Sequence, residues 1–254
     1  MIPLKLSEIQ GYDPEGIYFF LKFSELKYLN DIKNGTLYMN NFKYFIEREE
    51  QDKKKGLGDK YEGSFIMHNL DLEIYISETK EHIADAKASV MTLRLDYLLK
   101  KPMFCTTYLT SENLIIEDET KDEFTVSLDL NFLEKMKDDF GKHMLIINGY
   151  EFTNKLQKRF REGKISHFAS KVRYSDFSKN DRDRFLSFGK KSLDMFFWKD
   201  IYFEYQQEHR LVVLEDHESA FIYDIGDISM FSEIIETKDL SHYRLSIIKK
   251  KEKS

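Results

Sequence analysis

The chain holds one cysteine, Cys105, among 254 residues. That excludes an intrachain disulfide and any zinc site built on cysteine. Three prolines and eleven glycines supply no Pro/Gly-rich linker, and no internal repeat is present. A single domain over 1–248 is therefore expected, with 249–254 as a basic disordered tail. No apolar run approaches the roughly 20 residues of a membrane span, and Met1-Ile2-Pro3-Leu4-Lys5 lacks the charged start and apolar core of a signal peptide. Together with the near-absence of cysteine this fits the cytoplasm. A surplus of basic residues is missing too: 39 Lys and Arg against 45 Asp and Glu give a net charge of −6. A general electrostatic grip on duplex nucleic acid is thus not indicated, although a local basic groove could still be built. The basic runs Lys53-Lys54-Lys55 and Lys249-Lys250-Lys251 read as a solvated loop and a frayed end. There is no G-x-S-x-G elbow, P-loop or dinucleotide fingerprint, and no two of the seven histidines show zinc-ligand spacing on a helix.

What the chain has is aromatic and apolar residues in quantity. Hydrophobic residues make up 41% and aromatics 15%, alongside 33% charged residues, the balance of a folded, well-solvated protein. At this length about 73% of the extended surface can be buried. Ile17 to Phe23 reads as a strand, followed by a helix opened by Ser24, carrying Leu26, Leu29 and Ile32, and closed at Asn34-Gly35. Thr36 to Met39 is a short strand, and the charged, glycine-bearing stretch from Glu47 to Gly63 a loop. An amphipathic stretch spans about residues 80–100. Further strands are expected at Met103–Leu109, Phe124–Leu128, His143–Ile147, Ile165–Tyr174, Phe196–Val213, Ala220–Ile225 and Tyr243–Ile248. Helices are expected after Asp129, with Leu133, Met136 and Phe140 on one face, and through Phe152, Leu156 and Phe160 up to Gly163. Interleaved strands and helices predict an α+β domain with a mixed, largely antiparallel sheet and helices packed on it.

Three groups of residues could carry chemistry. In the run Glu204 to Leu214, a period of two places Gln206, Glu208, Arg210 and Val212 on one face, and Tyr205, Gln207, His209, Leu211 and Val213 on the other. Polar groups crowd the start of both faces. The plain alternative is an edge strand whose solvated face pairs Glu208 and Arg210 with cross-strand neighbours. In the segment Gly56-Leu57-Gly58-Asp59-Lys60-Tyr61-Glu62-Gly63, Asp59 and Glu62 either contribute to a polar pocket or cap a turn. With upstream Glu47, Glu49 and Glu50 they could also hold a hard cation such as Mg²⁺, a metal-dependent nuclease then using Glu47, Asp59 and Glu62, though the spacing matches no metal loop. His209 reads as a satisfied core residue and Cys105 as a small buried hydrophobe.

Two blocks together carry a resemblance. The first comprises Ile17-Tyr18-Phe19-Phe20, the capped helix to Gly35, Leu37-Tyr38-Met39-Asn40 and Gly58-Asp59-Lys60-Tyr61-Glu62-Gly63. The second is Trp198-Lys199 with Glu204-Tyr205-Gln206-Gln207-Glu208-His209-Arg210-Leu211-Val212. The pattern resembles a family of bacterial and phage proteins with an early acidic motif and a late W…Y-(E/Q)-x-E-x-R-L motif. It is similar in outline to ADP-ribosyltransferase-like folds. The family resemblance implies a protein of the defence or counter-defence type that binds a macromolecular partner, a protein above all. The fold resemblance implies NAD as cofactor, Glu208 as catalytic carboxylate and Gln206 as the acceptor-orienting group, with Tyr18, Tyr108 and Thr106 at the cofactor. A carboxylate there would stabilise the oxocarbenium character that develops as the nicotinamide–ribose bond breaks. The sequence departs from those enzymes on its first strand, where Tyr18-Phe19-Phe20-Leu21 stands in place of an Arg or His.

Overall fold

The computed structural model describes residues 3–52 and 58–249. In chain order, β1 (Phe19–Ser24), α1 (Leu26–Lys33) and β2 (Thr36–Asn41) lead into α2 (Phe42–Asp52). Two long strands follow, β3 (Ser64–Tyr75) and β4 (His82–Arg94), and then α3 (Asp96–Leu99), β5 (Pro102–Leu109), β6 (Leu114–Glu119) and β7 (Glu123–Leu128). Next come α4 (Leu130–Phe140), β8 (His143–Asn148), α5 (Gly149–Glu162), β9 (His167–Lys171), β10 (Arg173–Ser175) and α6 (Arg182–Gly189). The chain continues with β11 (Trp198–Asp200), β12 (Glu208–Val213), β13 (Phe221–Asp224), β14 (Ser232–Glu236) and β15 (Leu245–Ile248). This is an α+β fold, as the interleaved pattern predicts. No helix among the described residues is long and apolar enough to cross a membrane.

The main sheet runs β13-β2-β5-β1-β8-β14, with β12 and then β9 added beside β5. Every pairing in it is antiparallel; the one parallel pairing among the described strands joins β10 to β11. Alternation sorts β1 cleanly. Phe20 faces a core in which Leu29 and Ile32 of α1 and Phe152, Leu156 and Phe160 of α5 cover one side of the sheet. Phe19, Leu21 and Phe23 face the other side, where α4 and the small β15-β7-β6 sheet supply Leu133, Met136, Leu128 and Val126. A third core lies between Phe42, Met103, Val212 and the 195–198 segment.

Local chemistry explains most boundaries. Asn148 caps α5 by accepting from the Glu151 amide at 3.1 Å, and Gly163 ends that helix. Gly35 ends the first helical unit at φ +102°, and a Cβ there would lie 2.4 Å from the Gly226 carbonyl carbon, so only glycine lets the two turns touch.

Five expectations change. The strand expected over Ile165–Tyr174 is two strands, β9 in the main sheet and β10 paired with β11. The cap of α1 falls at Glu25, without a side-chain bond, and Ser24 ends β1. The charged segment from Glu47 is helical as far as Asp52, because Phe42 and Ile46 bury one face; Lys53-Lys54-Lys55 and Gly56-Leu57 lie outside the described residues. The amphipathic stretch near 80–100 is mainly β4, which pairs with β3 in a hairpin. Lys249, placed in the expected tail, is bound in the fold: its Nζ reaches Glu119 at 2.6 Å and lies over the Phe124 ring. Residues 250–254 of that tail lie outside the described residues.

Candidate functional site

The segment expected as one strand from Phe196 to Val213 is broken. Residues Ile201–Gln206 form a 3-10 turn capped by Asp200, whose Oδ1 accepts from the Tyr202 amide at 3.0 Å. Gln207 then takes a left-handed conformation, φ +40°, and β12 begins at Glu208. Gln206 is therefore not a strand neighbour of Glu208. The two still meet, because both bind Lys199: its Nζ donates to Gln206 Oε1 at 2.8 Å and to Glu208 Oε2 at 2.7 Å.

The edge-strand alternative is also overturned. β12 is flanked by β5 and β9, and Arg210 is wholly buried, with Glu208 5% and Glu62 2% exposed. Arg210 donates from Nε to Glu208 Oε1 at 2.5 Å and from Nη1 to the Phe196 carbonyl at 2.8 Å. Its Nη2 donates to Glu62 Oε2 at 3.1 Å, and Nη1 lies 2.8 Å from Glu62 Oε1. Two cations thus face two carboxylates, all four more than nine-tenths buried. Burial alone would raise the Glu208 carboxyl, but Arg210 and then Lys199 outweigh it and hold it far below the usual carboxylate range. Burial would likewise lower Lys199; Glu208 and Glu62 reverse that and raise it.

Asp59 stands at the rim of this cluster as a fifth charged group. Its turn is tight: Asp59 Oδ1 accepts from the Tyr61 amide at 2.9 Å, and its carbonyl accepts from the Glu62 amide at 2.9 Å. Gly58 makes room for the turn, since a Cβ there would lie 2.6 Å from the Glu49 nitrogen. Asp59 is 3% exposed, and its Oδ2 has no hydrogen-bond partner. Burial first, and then the nearby Glu62, raise its pKa to about 7. So Asp59 and Glu62 do join one polar assembly with Glu208, Gln206 and Arg210. Glu47 does not join it: it is exposed and pairs with Lys43. Among the described residues no group of three His, Cys, Asp or Glu side chains is arranged to hold a metal ion.

The residues expected at a cofactor do not converge with Glu208. Glu208 pairs with Thr107 across the sheet, and His209 with Thr106, so Thr106 shares the opposite face with Phe104 and Tyr108. Tyr108 packs against the α1/α5 core, with Lys171 over its ring. Tyr18 packs into the core on the other side of the sheet. His209 is half-buried with its ring 4.8 Å from that of Phe20, and burial lowers its pKa to about 4. Burial also pushes the Cys105 thiol well up.

The partners that the sequence did not reveal are Lys199 and the Tyr174 hydroxyl that accepts from the Glu208 amide at 2.8 Å. Lys199 sits beside the motif tryptophan, but its reach to Glu208 depends on the 3-10 turn between them, which has no alternating signature. Comparison of the chain with protein-family models, with curated proteins and with solved structures gave no match.

Proposed function

We propose that this protein works by binding a partner protein, and that the β3–β4 arm is the recognition element. One observation carries the reading. Along the arm, Leu70, Leu72 and Ile74 pair directly with Ala88, Ala86 and Ala84, which makes one continuous apolar face. Asp71, Glu73, Asp85 and Lys87 occupy the reverse. Such alternation belongs to a strand with one face covered, yet β3 and β4 form a sheet of their own, and the apolar face is half-exposed throughout, with Ile74 44% exposed. A two-stranded hairpin is marginal in water by itself, and an exposed apolar patch is a common mark of an interaction surface.

Leu70, at the base of the strip, also lines a groove of about 500 Å³ between the arm and α6, with Phe65, Met67, Phe185 and Leu186 and the polar Asn180, Asp181 and Arg182. An apolar segment of a partner protein suits that surface, whereas a polyanion suits neither the strip nor a net charge of −6. The resemblance would place such a partner in bacterial or phage defence. The transferase reading needs Glu208 open to a ribose. Both of its oxygens are instead engaged by Arg210 and Lys199, and the assembly reads as an internal clasp.

Capture from host lysate with a Leu72→Asp/Ala86→Asp control tests this. The wild-type chain should retain a stoichiometric protein partner, and the double variant should lose at least about tenfold of it with an unchanged melting temperature, since both positions lie outside the cores. A concentration-dependent dimer broken by the same substitutions would identify the partner as a second copy. A wild-type chain that captures no stoichiometric partner and stays monomeric would refute the reading.

A further inference from the structure

A cavity of about 310 Å³ opens at the root of the arm, separate from the apolar strip and independent of its role. Ligand sites in proteins begin at about this size. Three carboxylates line it, Glu49, Asp59 and Asp200, together with the rings of Tyr61, Phe177 and Phe203. The carboxylates differ in what they have left to offer. Asp200 accepts from the amides of Phe177 and Tyr202, each at 3.0 Å, and Glu49 accepts from the Lys60 amide at 2.8 Å. Asp59 alone has a buried oxygen, Oδ2, with no partner. A buried acceptor without a hydrogen bond is unfavourable, so a ligand that donates to it gains from relief as well as from the new bond.

The neighbouring cations do not supply that donor. Lys199 is committed to Glu208 and Gln206 and lies over the Phe203 ring at 4.7 Å. Arg184 lies over the Phe177 ring, with bonds to Ser175, Ile66 and Lys179. His68, the histidine lining the cavity, places Nε2 2.7 Å from the Phe177 carbonyl. The unmet need is for a positive N–H donor carried on a flat or short apolar body that can lie against the aromatic walls.

We propose that this cavity binds a small organic cation, an amidinium or guanidinium group on a short apolar body, whose N–H donates to Asp59 Oδ2. The groups that face Asp59 are Glu62, Lys199 and Glu49, with the Tyr61 amide on its other oxygen. Because the Asp59 carboxyl titrates at about 7, cation binding must displace its proton, and affinity should rise with pH across that value.

Titration calorimetry with benzamidinium chloride, and with neutral benzamide of the same shape, tests the assignment at pH 6 and pH 8. Benzamidinium should bind at least about tenfold tighter than benzamide, and about tenfold tighter at pH 8 than at pH 6. Asp59→Asn keeps the size of the side chain and leaves His68 in place. It should abolish both the preference and the Asp59 part of the pH dependence. If that variant does not fold, the wild-type Asp59 carboxyl carbon, followed by NMR, supplies the readout: its titration midpoint should fall by at least about one pH unit when benzamidinium is added. No binding of benzamidinium, equal binding of benzamide, an unmoved carboxyl midpoint, or full binding by folded Asp59→Asn would each overturn the proposal.

Discussion

Arg210 shows how a residue type is selected by its surroundings. A guanidinium presents several donors in a plane, and here they reach Glu208, Glu62 and the Phe196 carbonyl at once; a lysine ammonium could not span the three. The Coulombic attraction between such groups is offset by the cost of stripping their water, so the intact clasp adds little net stability. Breaking it is another matter. Arg210→Met should destabilise the fold by about 3–5 kcal/mol in urea titrations, because Glu208 and Glu62 are left charged and buried. Arg210→Lys should recover only part of the loss. A change below about 1 kcal/mol would mean that water reaches these carboxylates. Gln206 and Glu208 were legible in the sequence as a polar pair, and so were Asp59 and Glu62. Their joining through Arg210 was not, since 148 positions separate Glu62 from Arg210 and no local pattern spans that distance.

At the scale of elements, the β3–β4 arm departs most from what the sequence suggested. Its root is fixed: Asn180 bonds both the amide and the carbonyl of His68, at 2.8 and 2.9 Å, and Phe65 stacks on Phe188. Farther out, Lys87 with Asp71 and His82 with Asp85 pair within the arm, and such exposed pairs contribute little. Hydrogen exchange should therefore separate two classes of amide. Those at residues 70–75 and 82–88 should exchange by local opening at least about a hundredfold faster than those of β1 and β8, which lie inside the main sheet. Uniform protection along the arm would show that it is held by more than its own ladder. β12 makes the converse point. Its apolar half, Leu211 to Val213, was readable as strand, while the turn at Gln207 was hidden because glutamine is an uncommon residue at positive φ.

Across the whole molecule, distant parts of the chain close on one another. β13 pairs with β2, β14 with β8, β15 with β7, and the Gly35 carbonyl accepts from the Ile225 amide at 2.8 Å. Gly35→Ala tests that closure. A Cβ would meet the Gly226 backbone at 2.4 Å on a residue already at φ +102°, so the two turns would have to part. A loss of at least about 2 kcal/mol by chemical denaturation is expected, above the roughly 1 kcal/mol of backbone strain alone. A smaller loss would mean that the two turns can separate without disturbing the sheet.

The sequence by itself determined the fold class, the central strands and where α1, α4 and α5 end, because periodicity, caps and glycines act over a few residues. It also marked the oddly polar run at 204–213 and the acidic turn at 59–62 as places to look. Only the tertiary structure decided that these polar groups neutralise one another inside the protein, that Thr106 and Tyr108 face away from Glu208, and that one hairpin stands apart with an uncovered apolar face. Each of those outcomes rests on contacts between residues far apart in the chain, set by sheet order and by burial, and neither is encoded in any short window of residues.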